Sequence, residues 1–408
     1  MKMTSYISSK FNNFLSRIHD KYTMEYVVTQ MEKAFLDNYL ISSSFEDLEL
    51  EKVNLLRRRT QFMIVFVLVL VVPKYLIHTI TLSLPDKETR SYYQFHSLDY
   101  LECLGYTGRT LNAGMMFSTL MATSFSLTLM RFEIQGKLEC ISHYKRLREK
   151  KLLIPMVIKY MITNIAIKMS SFMVSIVFIG GLVVFHLKYN SILHTCLASL
   201  VCLTCCLHVF FMASRFFLVP MLLTMESDYF VFKLKAFMEM IDYKYFNLSS
   251  PEAYNVLREF EFLSCELLTH NRVIKYLTRD LVLGCCPTVS IVLTFFVLDM
   301  PFFLKAFLGI TGVFIILFAL MCEFLVGQVH SEVSKVYLLM NSVMARNQNS
   351  NDIDIRIILR HQIKRLVSPT QPIGISFGDG NSFKKSDAVS VLSTTLSLTL
   401  MVLESTFK

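Results

Sequence analysis

SDAVSVLSTTLSLTLMVLESTF, residues 386–407, is the stretch on which the reading of this chain turns. It holds no proline, glycine or basic residue, so a helix can run through it unbroken. At about 1.5 Å of rise per residue, that helix is long enough to cross a bilayer's hydrocarbon. Yet Ser390, Ser393, Thr394, Thr395, Ser397 and Thr399 crowd its first half, and Glu404 stands near its end. A helix that met only lipid would not need these groups, which at membrane depth face protein or a water-filled path. The residues alone leave two readings open. The hydroxyls act as glue between helices, or they line a pore.

Outward from this stretch the chain is unusually apolar. Of its 408 residues 53% are hydrophobic, and the mean hydropathy is +0.46, too high for a soluble domain with an ordinary polar surface. Six further runs are long enough to span: about 61–82, 110–130, 165–187, 192–223, 281–298 and 302–326, with residues 386–407 as the seventh. The expected fold class is therefore all-α, a polytopic membrane protein of seven transmembrane helices. The first apolar run starts only near Phe62, so no cleavable signal peptide is expected.

The basic residues orient these spans. Arg131, Lys137, Lys145, Arg146, Arg148, Lys150, Lys151 and Lys159 follow span 2. Lys233, Lys235, Lys244, Arg258, Arg272, Lys275 and Arg279 follow span 4, and Lys335, Arg346, Arg356, Arg360, Lys364, Arg365, Lys384 and Lys385 follow span 6. The alternate side carries few bases. Bases near membrane ends stay in the cytoplasm, so the N-terminus is expected inside and the C-terminus outside. A G-protein-coupled receptor, also of seven helices, runs the opposite way. The sequon Asn247-Leu248-Ser249 falls in a segment this topology keeps inside; the base asymmetry, spread over three loops, outweighs it. The net charge of +9 resides in these loops and is not a nucleic-acid signature.

The inner segments read as helices. Tyr22 to Leu40 and Ser44 to Arg59 are candidate amphipathic helices. Gln328 to Arg346 sets Val329, Val333, Val336, Tyr337, Met340, Val343 and Met344 on one stripe, and Asp352 to Val367 repeats the pattern. Spans 4, 5 and 6 are thus expected to continue into the cytoplasm and pack there. The chain divides into N-terminal cytoplasmic helices (1–60), spans 1 to 6 with their loops (61–327), cytoplasmic anchor helices (328–385) and span 7 (386–408).

Catalytic signatures are missing: the chain has no phosphate loop, no HExxH and no GxSxG. It is not read as an enzyme, and no cofactor or metal is expected. His78, His186, His194 and His208 lie in or beside spans, where a packed, hydrogen-bonded role is favoured over a ligand role. Cys202, Cys205 and Cys206 can share a helix face but are read as small apolar packers.

The layout resembles that of the arthropod gustatory receptor family, relatives of the insect odorant receptors. Three features carry the resemblance: seven spans with the N-terminus inside, the short hairpin Asp299 to Pro301 between spans 5 and 6 ahead of long cytoplasmic helices, and the C-terminal pattern. The family ends span 7 with Thr-Tyr, five apolar residues and Gln-Phe. Here Thr399 and Phe407 match, Leu400 replaces the Tyr, Thr406 replaces the Gln, and Glu404 interrupts the apolar five. The resemblance covers the whole chain in layout and about its last forty residues in motif.

It implies a gustatory receptor acting as a ligand-gated, non-selective cation channel at the plasma membrane of a sensory neuron dendrite. The channel would be a homotetramer or a heterotetramer with sister receptor subunits, embedded in membrane lipid and opened by a small-molecule tastant. Span 7 of each subunit would line the pore, with Thr399, Leu403, Thr406 and Phe407 on one face. Glu404 then reaches the vestibule or is a buried, paired acid. Ligand-binding candidates in the outer halves of the spans are Met115, Thr119, Phe185, His194, Thr294, Phe303 and Phe307. Rival readings are an odorant-receptor subunit requiring a co-receptor and a G-protein-coupled receptor. A transporter would more often show repeats or broken helices, and neither is visible.

Overall fold

The structure, a computed structural model, describes residues 23–38, 58, 60–73, 76, 109–134, 150–189, 192–243, 250–297, 302–346, 357, 360, 375 and 383–407. The described residues are helical almost throughout and include no strand, so the chain is all-α. A short first helix, α1 (Met24–Asp37), precedes a helical segment at 60–73 that contains a π-helical turn, Val67–Val71. Six helices follow: α2 (Arg109–Ile134), α3 (Lys150–Tyr189), α4 (Ile192–Tyr243), α5 (Ser250–Val297), α6 (Phe302–Arg346) and α7 (Lys385–Phe407).

Local chemistry explains α1. Met24, Val27, Val28, Met31 and Phe35 recur at helical spacing and are all buried. The Oγ1 of Thr23 accepts from the amide of Tyr26 at 3.1 Å, satisfying one of the amides a helix start leaves open. At the other end the side-chain amide of Asn38 donates to the Ala34 carbonyl at 2.7 Å. This helix packs on α3. The other amphipathic segments expected from sequence, Ser44 to Arg59 and Asp352 to Val367, lie outside the described residues apart from Arg58, Ile357 and Arg360.

The long helices outrun the apolar segments that seeded them. A bilayer needs about 20 residues, whereas α4, α5 and α6 have 52, 48 and 45. Helix α3 begins at Lys150, not near Ile165, so Lys150, Lys151 and Lys159, expected in a loop, are helical. Among the described residues two stretches are long and apolar enough to cross a membrane, Leu152–Phe172 and Phe210–Ile241, against the seven spans expected from sequence. The second is almost wholly buried within the protein.

The chain divides into two compact units. The first comprises Met1–Met221, Leu283–Ala319 and Leu392–Lys408; the second comprises Leu222–Val282 and Leu320–Val391. The second unit gathers the segments expected from sequence to extend spans 4, 5 and 6.

In the first unit α2 and α4 run parallel. Thr119 pairs with His208, and seven residues further along both helices Ser126 pairs with Arg215. Between them Phe125 meets Phe216 edge-on, with ring centroids 5.9 Å apart. Such an aromatic pair is worth about 0.5–1.5 kcal/mol beyond its burial. Much of the described outer surface of this unit is apolar: on α3, Ile158, Ile162, Ile165, Met169, Phe172, Ile179 and Val183 form an exposed stripe at spacings of three, four and seven. Leu200, Leu203 and Leu207 on α4, with Val313 and Leu317 on α6, are exposed in the same way. Lys168, also exposed, is the charged exception on α3.

In the second unit α4 and α5 run antiparallel, since Glu226 pairs with His270, Tyr229 with Glu266, and Phe237 with Phe260. Helix α6 buries Val326, Val329, Val333, Val336, Met340 and Val343, the stripe its sequence period anticipates. The surface is charged, with Lys235, Glu239, Arg258, Glu259, Glu261, Arg272 and Lys335 exposed.

Candidate functional site

Helix α7 starts at a built cap. The backbone amide of Lys384 donates to Asp387 Oδ2 at 2.7 Å, and the Asp387 amide returns to the Lys384 carbonyl at 3.0 Å. An acid in the first turn also suits the positive end of the helix dipole. Ahead of the cap, the Phe383 amide bonds the Ile375 carbonyl at 2.8 Å and closes the turn that leads into the helix.

Beyond its first two turns the helix has one packed face and one open face. Thr395 and Thr399 are buried, each 7% exposed. Their polar atoms are used locally: Thr399 Oγ1 donates to the Thr395 carbonyl at 2.8 Å, and that carbonyl also accepts from Ser290 Oγ of α5 at 3.1 Å. Ser393, Ser397, Leu400 and Glu404, spaced four, three and four residues apart, are all exposed. At about 100° per residue, Glu404 and Thr399 point about 140° apart. The hydroxyls of the opening stretch thus divide in two: Thr395 and Thr399 lie on the packed face, where the bond between helices is donated by Ser290 and Thr399 bonds within its own helix, while Ser390, Ser393, Thr394 and Ser397 are exposed, as is Glu404.

The expected gate residues separate accordingly. Thr399 is on the packed face, Leu403 is half-buried and Glu404 is exposed. The stripe of Thr399, Leu403, Thr406 and Phe407 is therefore not the face that one chain leaves open. The side chains of Thr406 and Phe407 lie outside the described residues, as do those of Met115, Phe185, His194, Thr294, Phe303 and Phe307.

Thr119 is the one expected ligand-binding residue whose side chain is described. It is fully buried, and its Oγ1 lies 2.6 Å from His208 Nε2. That occupies His208 in a hydrogen bond between α2 and α4, the packed role its place in an apolar run suggests. Two turns further on, Arg215 is buried against Ser126. Its Nε donates to Ser126 Oγ at 3.0 Å, its Nη1 to Ser214 Oγ at 2.8 Å and to the Phe211 carbonyl at 3.2 Å, and its guanidinium lies 3.7 Å over the Phe211 ring. Burying a guanidinium is costly unless its donors are used, and here Nε and Nη1 make three hydrogen bonds. The sequence reading passes over Arg215, whose one signal is a base within an apolar run. Its partner Ser126 is 89 residues away and carries no signal of its own.

The second unit holds a second buried polar cluster. His270 Nδ1 lies 2.7 Å from Glu226 Oε2, both side chains about 3% exposed, and Phe230 stands edge-on to the imidazole. Tyr229 donates to Glu266 and stacks on the same imidazole. Among the described residues no three His, Cys, Asp or Glu side chains come together as a metal site. No protein-family model matches the chain, and no curated protein sequence matches it.

Proposed function

We propose that the protein is a chemosensory receptor of gustatory type, a cation channel opened by a small molecule, in which α7 of four subunits surrounds one pore. In this reading the first unit is the membrane bundle of seven spans and the second is the cytoplasmic anchor. The observation that carries it is the division of α7. One face, with Thr395 and Thr399, is packed against its own chain, where Ser290 bonds the Thr395 carbonyl, and the opposite face is exposed and carries Ser393, Ser397 and Glu404 among Leu396, Leu400 and Met401. A carboxylate and two hydroxyls on an exposed face suit water and cations, and four copies of Glu404 would concentrate cations at the mouth. The parallel run of α2 and α4 supports the crossing order, because spans 2 and 4 of an alternating chain descend in the same sense. The apolar stripe on α3 suits lipid.

The lining is thereby assigned to Ser393, Ser397, Leu400 and Glu404, with Thr399 behind it. The test is cysteine substitution along α7 in cells expressing the chain alone or with a sister subunit. Ligand-evoked cation current blocked by a hydrophilic thiol reagent at Ser397→Cys and Glu404→Cys, but not at Thr399→Cys, is the expected result. Current indifferent to every substitution from 393 to 404 removes the pore from α7. A tag after Lys408 labelled on intact cells fits this topology, whereas one reached only after permeabilising favours a G-protein-coupled receptor. Response only alongside a shared co-receptor subunit places the chain with the odorant receptors.

A further inference from the structure

Where α7 begins, it rests directly on α6. A Cβ built at Gly327 would lie 2.7 Å from the amide nitrogen of Lys385, 2.9 Å from the carbonyl carbon of Lys384 and 3.0 Å from the Lys385 Cα. These are backbone atoms and cannot swing aside. Only glycine admits so close an approach. Lys385 then extends its ammonium over the Phe324 ring, 4.7 Å from the centroid.

Three residues after the notch, and on nearly the same helix face, stands His330. Its Nδ1 is buried and has no hydrogen-bond partner among the described residues. Four residues before the notch, Glu323 is buried with neither carboxylate oxygen partnered. The charged groups that reach His330 from the facing segment are Lys384 and Asp387. Both oxygens of Asp387 are already engaged, Oδ2 by the Lys384 amide and Oδ1 by Ser386 Oγ at 3.4 Å.

We infer that this seat is a proton-binding site: His330 is neutral while the start of α7 rests on Gly327, and acid releases it by placing a proton on the imidazole. A charged imidazole there would face the Lys384 ammonium and the positive end of the α7 dipole, with the Asp387 carboxylate opposing them. Burial first and Lys384 second hold the His330 pKa below its ordinary value, while Asp387 pulls the other way. The sign follows. A seated form that binds the proton more weakly than the released form is favoured above the ordinary histidine value of about 6.5, and loses that advantage as the pH falls below it. Each unit between the seated and released values changes the release equilibrium about tenfold.

The inference does not depend on the channel reading, and its test needs no current. Amide hydrogen exchange of residues 385–391 is followed in the full-length protein in nanodiscs between about pH 8 and pH 5, corrected for intrinsic rates. Exchange should accelerate on acidification in the native chain and stay flat in His330→Gln. Lys384→Gln should move the midpoint to higher pH, and Asp387→Asn to lower pH. His330→Gln with the native pH profile overturns the inference. So do Lys384→Gln and Asp387→Asn shifts of the same sign, which decide the matter even if His330→Gln fails to fold.

Discussion

The two units invert one another. The first is apolar outside and polar within: the α3 stripe from Ile158 to Val183 is exposed, while Thr119, His208, Ser126 and Arg215 are buried between α2 and α4. The second follows the order of a water-soluble domain. Its α6 stripe of valines is buried, and Lys235, Arg258, Glu259 and Lys335 are exposed. Hydrophobic burial from water accounts for the second arrangement. It does not account for the first; an apolar outside over a polar seam is the arrangement expected of helices packed against one another in an apolar solvent. The contrast is the one the proposed membrane bundle and cytoplasmic anchor would show.

The largest effect that can break the contrast comes from placing a charge on each surface. Ile179 and Leu338 are equally open, at 61% and 64% exposure. Ile179→Asp should destabilise the folded protein in nanodiscs by about 2.5–3.5 kcal/mol, the cost of a carboxylate deep in a span. Leu338→Asp should change stability by no more than about 0.5 kcal/mol. Chemical denaturation of the two variants compares them directly. Equal, small effects would mean that the first unit is not bathed in lipid.

Next is a pair of glycines, one from each unit. A Cβ at Gly327 meets backbone at 2.7 Å, whereas one at Gly284 meets the Met121 side chain at 3.2 Å. Gly327→Ala should cost about 1–3 kcal/mol, since α6 and the start of α7 must part. Gly284→Ala should cost less than about 1 kcal/mol, because methionine is the most adaptable of apolar side chains. The readout is the shift in Tm, and Gly284→Ala as damaging as Gly327→Ala would refute the ranking.

Much of this architecture was legible in the sequence. The period of Val329, Val333, Val336, Met340 and Val343 announces the buried face of α6, and the continuation of spans 4, 5 and 6 into long helices follows from the same periodicity. The α3 start was missed because Lys150, Lys151 and Lys159 mark where a membrane interface should lie, which is not where a helix must begin. The gate stripe is a different case: Thr399 is packed and Leu403 half-buried, while the side chains of Thr406 and Phe407 lie outside the described residues. Helical spacing tells which residues of α7 share a side, but not which side its neighbour takes. Ser290, 105 residues away, takes the side of Thr395 and Thr399. Arg215 and the Glu226–His270 pair were invisible for the same cause, their partners being 89 and 44 residues distant.

The Glu226–His270 pair sharpens the second half of the contrast. Glu226→Leu leaves a buried imidazole without its acceptor and should cost about 1–3 kcal/mol. The double variant Glu226→Leu with His270→Leu should recover part of that loss, because two apolar groups of similar size leave nothing unsatisfied. A double variant as unstable as the sum of the two single ones would show that the pair is uncoupled.

The smallest effect belongs to the seam of the first unit. Thr119→Val keeps the shape of the side chain and removes the hydroxyl that meets His208. In water-excluded bundles such interhelical hydrogen bonds average about 0.6 kcal/mol, because the polar groups of separated helices find other partners. A cycle of Thr119→Val, His208→Leu and the double variant should return a coupling near that value. Ser126→Ala should cost more than Thr119→Val, since the group it abandons is a buried guanidinium that has lost one of its acceptors. Were Thr119→Val the costlier of the two, the seam would owe its strength to the histidine, and Arg215 would be held chiefly within its own helix, where it bonds Phe211 and Ser214.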